Sequence, residues 1–366
     1  MADRRDLEFR PDYAIPPGRT LVETIKALGM SQAELASRTG RPLKTINEII
    51  KGKAAITPTT ALQLERTLGV PARFWNNLEA NYRESLARIE EQRHLDAGIA
   101  WLNRIPVKAL VKEGVIRDLP SRADMVAEVL NFFGVSSPEA WDQVWSRQKA
   151  AFRRSLAFAI SPGSVAAWLR IGELRAQRIT CSAFARSRFR VALSTIRRLT
   201  VEPPEVFQPE LTRLCAEAGV AVVFVSELPK TRVSGATRWL TTNKALIQLS
   251  LRYKADDHLW FTFFHEAGHI LLHGKRNIFL EGNGANDTKE QEANRFAANI
   301  LIPPSDFQML LEKGEMTNSA IRRFASELGI APGIVVGRLQ HESILPYSHC
   351  NDLKRRFELV KSTDEA

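Results

Sequence analysis

Cysteine is scarce in this chain, acid is outnumbered by base, and no long apolar run exists. The three cysteines, Cys181, Cys215 and Cys350, are odd in number and scattered, which excludes a disulfide framework. The longest uninterrupted apolar stretch, Gly219–Val225, falls far short of the ~20 residues that a membrane-crossing helix needs. The opening MADRRDLEFRPD is charged and has no apolar segment, so no secretory signal peptide is expected. No repeat with a period of ~20–50 residues is visible, which argues against solenoids and propellers. A soluble, cytoplasmic protein with no membrane partner is the expectation.

Three things are present in quantity: length, base and histidine. At 366 residues the chain is long enough for two or three domains of ~100–200 residues each. Lys and Arg number 51 against 41 Asp and Glu, a net +10, which favours an anionic partner such as nucleic acid. Between Arg147 and Arg198 the only acid among many arginines is Glu173. That stretch reads either as a solvated basic face or as a phosphate-binding surface. Trp168 and Phe184 lie within it and suit base stacking, although core aromatics are the commoner explanation.

Pattern divides the chain into a helix-turn-helix region at 1–83, a helical Arg/Trp-rich middle at 84–200, a mixed α+β region at 201–350 and a fraying tail at 351–366. In the first region Leu21, Ile25 and Leu28 recur at helical spacing and Gly29 stops the helix. Ser31 with Glu34 forms a capping box, Gly40 ends that helix, and KTINEIIKG follows after a tight turn. Leu35, Ala36, Ile46 and Ile49 can pack the two helices, with Ala61, Leu64 and Leu68 on a further one. The second helix then offers Lys44, Thr45, Asn47 and Lys51 to base edges and phosphates, and Gln32 can clamp a phosphate. A helical bundle that touches no DNA has the same spacing.

The run from Ser31 to Tyr82, with GKAAIT and FWNNLEANY, resembles the Xre-type helix-turn-helix of HigA-like antitoxins. Pro42 stands where that pattern usually has a small polar cap. The resemblance implies a five-helix DNA-binding domain on double-stranded operator DNA, and such operators are two-fold, which favours a homodimer.

Four of the seven histidines, His258, His265, His269 and His273, fall within HLWFTFFHEAGHILLH. On a helix, His265 and His269 are one turn apart and project from one face at a spacing that suits Zn²⁺. Glu266 beside them can take a proton from an attacking water and return it to the leaving amine. His273 is carried away by helical rotation and rise and reads as a helix-end or outer-shell residue; His258 reads as structural. After a polar loop, EQEANRFAANILIP places Ala293, Phe296, Ala297 and Ile300 on an apolar stripe. Glu292 adjoins that stripe and is expected as the third ligand, with Glu290 its rival and a surface acid the plainer reading. The set His265, His269 and Glu292 leaves a fourth position open, the catalytic pattern.

Upstream, Val220–Val225 reads as a buried strand, and RWLTTNKALIQLSL as a hairpin turning at Asn243-Lys244. An edge strand there can pair with an extended peptide. With these segments, SGATRWL, IQLSLRYKADDHLWFTFFHEAGHILLH, EQEANRFAANILIP and GIVVGRLQH resemble the ImmA/IrrE metallopeptidases over about 150 residues. What the resemblance implies is a gluzincin-like zinc endopeptidase holding one Zn²⁺ through His265, His269 and Glu292, with Glu266 as general base. It also implies a repressor protein as substrate in stress or phage responses. His341 and Tyr347 are candidate donors to the transition-state oxyanion. The expected architecture is multidomain and mainly α, with an α+β, zincin-like C-terminal domain. The rival function is a transcriptional regulator or antitoxin whose zinc domain senses or binds without turnover.

Overall fold

The computed structural model describes residues 12–145, 161–274, 279–280 and 288–359. Contacts divide the chain into two compact units that meet in sequence at Ile99 and Ala100.

The first unit is built from five helices: α1 (Gly18–Ala27), α2 (Gln32–Thr39), α3 (Leu43–Ile50), α4 (Pro58–Leu68) and α5 (Ala72–Ala97). Ser31 caps α2 by accepting the Glu34 N–H at 3.1 Å, and Gly40 closes it in the left-handed conformation. Thr57 does the same for α4 through the Thr60 N–H at 3.2 Å. Leu21, Leu35, Ile46, Leu64 and Trp75 are wholly buried and form one core, each such aliphatic side chain contributing ~1.5–3 kcal/mol. The approach of α1 to α3 requires glycine at position 18, since a Cβ there would fall 2.3 Å from the Ile50 Cα. Glu79 of α5 accepts the Ile56 N–H at 3.0 Å and fastens the α3–α4 connection.

The expected boundary at 83 falls inside α5 and is corrected. Nothing between Ala72 and Ala97 breaks a helix, and Arg83 pairs with Glu79 and Arg88 with Glu84 at one-turn spacing across it.

The second unit opens with α6 (Val107–Lys112), α7 (Arg122–Phe133) and a helical stretch at residues 138–145. It continues with α8 (Pro162–Arg178), α9 (Arg186–Arg198), α10 (Pro204–Glu217), β1 (Val220–Phe224), β2 (Gly235–Thr241) and β3 (Lys244–Leu249). Then come α11 (Asp256–Leu272), β4 (Phe279–Leu280), α12 (Thr288–Leu301), α13 (Pro304–Lys313), α14 (Asn318–Leu328) and α15 (Pro332–His341). The strand order is β1-β3-β2-β4, with β1 parallel to β3 and the other pairs antiparallel. The hairpin forms, but it turns at Thr242-Asn243, with Lys244 already in β3 opposite Thr241; this second strand is interior to the sheet, so β3 offers no edge to a peptide. Trp260, Phe263, Phe264 and Ala267 on α11 are fully buried against Val222, Ile247 and the inner face of α12.

The middle of the chain is not a separate region. Phe189, Leu193 and Ile196 of α9 belong to the same core as α11. Four of the arginines of α8 and α9 are tied to distant main-chain carbonyls, while Arg178, Arg188, Arg190 and Arg198 are exposed. Arg186 donates to the Leu271 carbonyl at 2.6 Å and Arg197 to those of Leu301 and Leu328 at 3.0 and 2.9 Å. Arg170 donates to the Phe132 carbonyl at 2.8 Å, and Arg175 to that of Phe224 at the same distance. Four of these five acceptors lie in the last turn of a helix, where carbonyls lack intrahelical partners and the dipole favours a cation. Trp168 is fully buried, donating its indole N–H to the Val225 carbonyl at 3.0 Å, and Phe184 packs edge-on to Trp239. Burial makes Trp168 unavailable to stack a base, which overturns that reading for it, and Phe184 is half-buried; Arg147, Arg153 and Arg154 lie outside the described residues.

The described part of the tail, residues 351–359, is packed rather than frayed. Arg356 bridges to Ala255, Phe357 is buried, and Arg355 bonds the Thr200 carbonyl and pairs with buried Asp256 at 3.4 Å. Burial, partly offset by Arg355, pushes the Asp256 carboxyl above its ordinary range. Among the described residues no helix is long and apolar enough to cross a membrane.

Candidate metal centre and nucleic-acid face

Two packed helices of the second unit, α11 and α12, carry the chemistry. His265 and His269 sit one turn apart on α11, both about 1% exposed, with their Nε2 atoms 3.0 Å apart. From α12, Glu290 sets Oε2 3.2 Å from His265 Nε2 and Oε1 3.4 Å from His269 Nε2. One donor atom from each of the three can be chosen so that all lie within 4.8 Å of one another. Gly268 permits this packing, since a Cβ there would crowd the Ala293 Cα at 3.3 Å.

Protonation suits metal binding. Burial, opposed by the bond to Glu290, lowers the His269 imidazole to about 4. Burial alone would raise Glu290, but the hydrogen bonds from His265 and His269 outweigh it and bring the carboxyl down to about 2. Near neutral pH the cluster therefore presents a neutral His269 and an ionised carboxylate, the forms that bind a metal. Two imidazoles and one carboxylate fit the donor set of a zinc site that keeps a position open.

The outer nitrogens are engaged as well. His265 Nδ1 meets Asn294 Oδ1 at 2.8 Å, and His269 Nδ1 meets His273 Nδ1 at 2.9 Å. Glu292, the expected third ligand, is not in the cluster: its side chain is 56% exposed and its Oε2 lies 3.0 Å from His273 Nε2. The reason is helical phase. Ala293 and Ala297 face α11, both fully buried; Glu290 precedes them by three and seven residues and shares their face. Glu292 is one residue from Ala293 and so about 100° around the helix. The seven-residue spacing to Ala297 was visible in the sequence and placed Glu290 on the apolar face; that this face meets α11 is decided by packing. Asn294 was missed because a neutral amide carries no charge signal.

Glu266 is fully buried on α11, beside the start of β2. A Cβ at Gly235 would fall 2.9 Å from Glu266 Oε1, and Thr237 donates its hydroxyl to the Glu266 carbonyl at 3.1 Å. His258 stacks on Tyr253 at 4.2 Å. His341 and Tyr347 line a cavity of about 330 Å³, mostly apolar, that also touches Phe261 and Asn294, which flank His265.

In the first unit, Lys44 is exposed, its side chain at 86%, and Lys51 is exposed just past the end of α3. Thr45 and Asn47 on α3 and Gln32 at the first position of α2 are half-buried. Pro42 occupies the cap position of α3 without a side-chain bond, so the helix relies on its fixed φ of −59°.

Residues 215–340 match the peptidase family described as an IrrE N-terminal-like domain, and residues 22–75 match the helix-turn-helix family. Over 80 residues the chain is 36% identical to Virulence-associated protein I of Dichelobacter nodosus, a match covering 22% of this chain and 74% of that one. An addiction module antidote protein of the HigA family from Coxiella burnetii is 30% identical over 23% of this chain and 92% of its own, with a TM-score of 0.22. The Pseudomonas aeruginosa antitoxin HigA, solved with the higBA promoter, is 30% identical over 20% of this chain and 83% of its own, with a TM-score of 0.20.

Proposed function

Since this chain belongs to the IrrE-like peptidases by its C-terminal domain and to the Xre-type helix-turn-helix proteins by its N-terminal one, we propose that it is a zinc-dependent endopeptidase that acts at DNA. The observation that carries the reading is the convergence of His265, His269 and Glu290 on one side of α11, with buried Glu266 next in sequence to His265. Zinc, when bound, supplies a Lewis acid that polarises the scissile carbonyl and acidifies water.

The chain's own residues supply the rest. His265, His269 and Glu290 hold the ion, and Asn294 fixes the orientation of the His265 ring. Glu266 takes the proton of the attacking water and delivers it to the leaving amine. Its burial keeps bulk water from competing for that proton. His341 and Tyr347, at the nearby cavity, are the candidate oxyanion donors.

DNA binding runs through the first unit. Lys44 and Lys51 meet phosphates, Thr45 and Asn47 reach base edges from the N-terminal part of α3, and Gln32 clamps the backbone from α2. Binding as a homodimer at a two-fold operator brings the peptidase to an Xre-type repressor, or to the chain's own first unit, as substrate. The protein then works in the cytoplasm, controlling expression by removing that repressor.

The test is cleavage of candidate repressors, and of the chain itself, by zinc-loaded wild type and Glu266→Gln. Wild type should cut, and the variant should bind zinc equally while losing cleavage by ~10²–10⁴-fold. A Glu266→Gln protein that cuts at the wild-type rate removes Glu266 from the reaction. Zinc-loaded wild type that binds operator but cuts nothing favours the regulator in which the metal domain is an interaction module.

A further inference from the structure

His269 is tied to the second helix through an intermediary. Its Nδ1 lies 2.9 Å from His273 Nδ1, and His273 Nε2 lies 3.0 Å from Glu292 Oε2. His265, by contrast, meets α12 directly through Asn294 at 2.8 Å. The intermediary is possible because α11 ends at Leu272. His273 leaves the helix with extended backbone, φ −112° and ψ 161°, which brings its ring to 5.0 Å from that of His269. The His273 side chain is only 4% exposed, so this arrangement is packed in place.

Chemistry dictates how protons are arranged along the chain of bonds. A neutral imidazole carries one proton. If His269 Nε2 gives its lone pair to a metal, the proton is on Nδ1, and Nδ1 donates. His273 Nδ1 must then accept, which puts the His273 proton on Nε2, where it is donated to the Glu292 carboxylate. A carboxylate at the far end thus selects the tautomer of both rings. The reverse order would place a proton on His269 Nε2 and block the ligand position.

We propose that His273 and Glu292 are positioning residues that lock His269 in the ligating tautomer and orientation for a divalent metal ion; this rests on the zinc site proposed above. Glu292 therefore serves the metal from one step further out, while Glu290, two residues before it on α12, touches the ligand nitrogens themselves.

The experiment is competition for zinc between the full-length protein and a chromogenic chelator at fixed neutral pH, with thermal unfolding of each metal-free variant alongside. The key pair is His273→Leu, similar in bulk without an acceptor, and His273→Gln, whose carboxamide oxygen can accept from His269 Nδ1. His273→Leu should weaken zinc binding by ~10–100-fold, His273→Gln should recover most of that loss, and Glu292→Ala should fall between them. Glu290→Ala should lose zinc altogether. A His273→Leu protein that holds zinc like wild type overturns the relay, as does an equal loss in His273→Leu and His273→Gln, which is the mark of packing alone. Glu292→Ala as damaging as Glu290→Ala makes Glu292 a ligand and overturns it too. Wild type that takes up no zinc overturns the proposed metal site and the relay together, whereas the other failures leave the site standing.

Discussion

The two units put their functional polar groups in opposite places. In the first, an apolar core of Leu21, Leu35, Ile46, Leu64 and Trp75 holds a scaffold, and Lys44 and Lys51, proposed to meet phosphates, are exposed on its outside. In the second, His265, Glu266, His269 and most of Glu290 are taken out of water, and the two histidines and Glu290 are bonded to one another and to Asn294 and His273. An exposed lysine acts through its position and its reach to phosphates. A buried cluster changes its chemistry: burial drives His269 down and its partners pull Glu290 down, so the ligand forms exist before any metal arrives. The exposed face therefore tolerates substitution, and the buried one does not.

That contrast can be broken by single changes in either unit. The largest effect is expected for His265→Ala, which should lower zinc affinity by roughly 10³-fold or more while operator binding stays at the wild-type level. Chelator competition and a gel shift on the same preparation check both halves; joint loss would mean that the variant unfolds the chain.

Next comes acid. In the metal-free protein the unfolded chain binds a proton at His269 below pH 6.5, whereas the folded site waits until about 4. Stability should fall as pH drops from 6.5 to 4, by on the order of 3 kcal/mol for a shift of this size. Glu290 extends the decline: its contribution is present above the ordinary carboxyl range and disappears as pH falls through about 2. Hydrogen exchange of the α11 amides against pH would show it, and flat protection between pH 6.5 and 4 would refute it.

The smallest effects belong to the exposed face. Asn47→Ala should weaken binding to the preferred operator by ~1–3 kcal/mol and relax its sequence preference. Lys44→Ala should weaken binding to all sequences alike and reduce the salt slope by about 1. Zinc uptake should be untouched in both. A titration over several salt concentrations distinguishes the two, and identical slopes would remove Lys44 from the phosphate contacts.

Legibility from sequence followed the range of the interaction. The capping box at Ser31–Glu34, the stops at Gly29 and Gly40, and the one-turn pair His265–His269 are each set within a few residues, and each was readable. The carboxylate that meets both histidines sits on another helix, 21 residues past His269, where two residues, about 200° of helical rotation, separate largely buried Glu290 from exposed Glu292. Arginines of α8 and α9 reach carbonyls as far as 131 residues away, so part of a charge that reads as surface is tied to the main chain of distant helices.

By itself the sequence determined the class of chemistry, two imidazoles and carboxylates in a mainly α chain with a DNA-binding module, because residue type and local periodicity carry that information. Tertiary structure alone decided that Glu290 meets the two histidines while Glu292 reaches His273. The packing of α12 against α11 through Ala293, Gly268 and Ala297 sets the rotation of one helix relative to the other, and no local pattern encodes that angle.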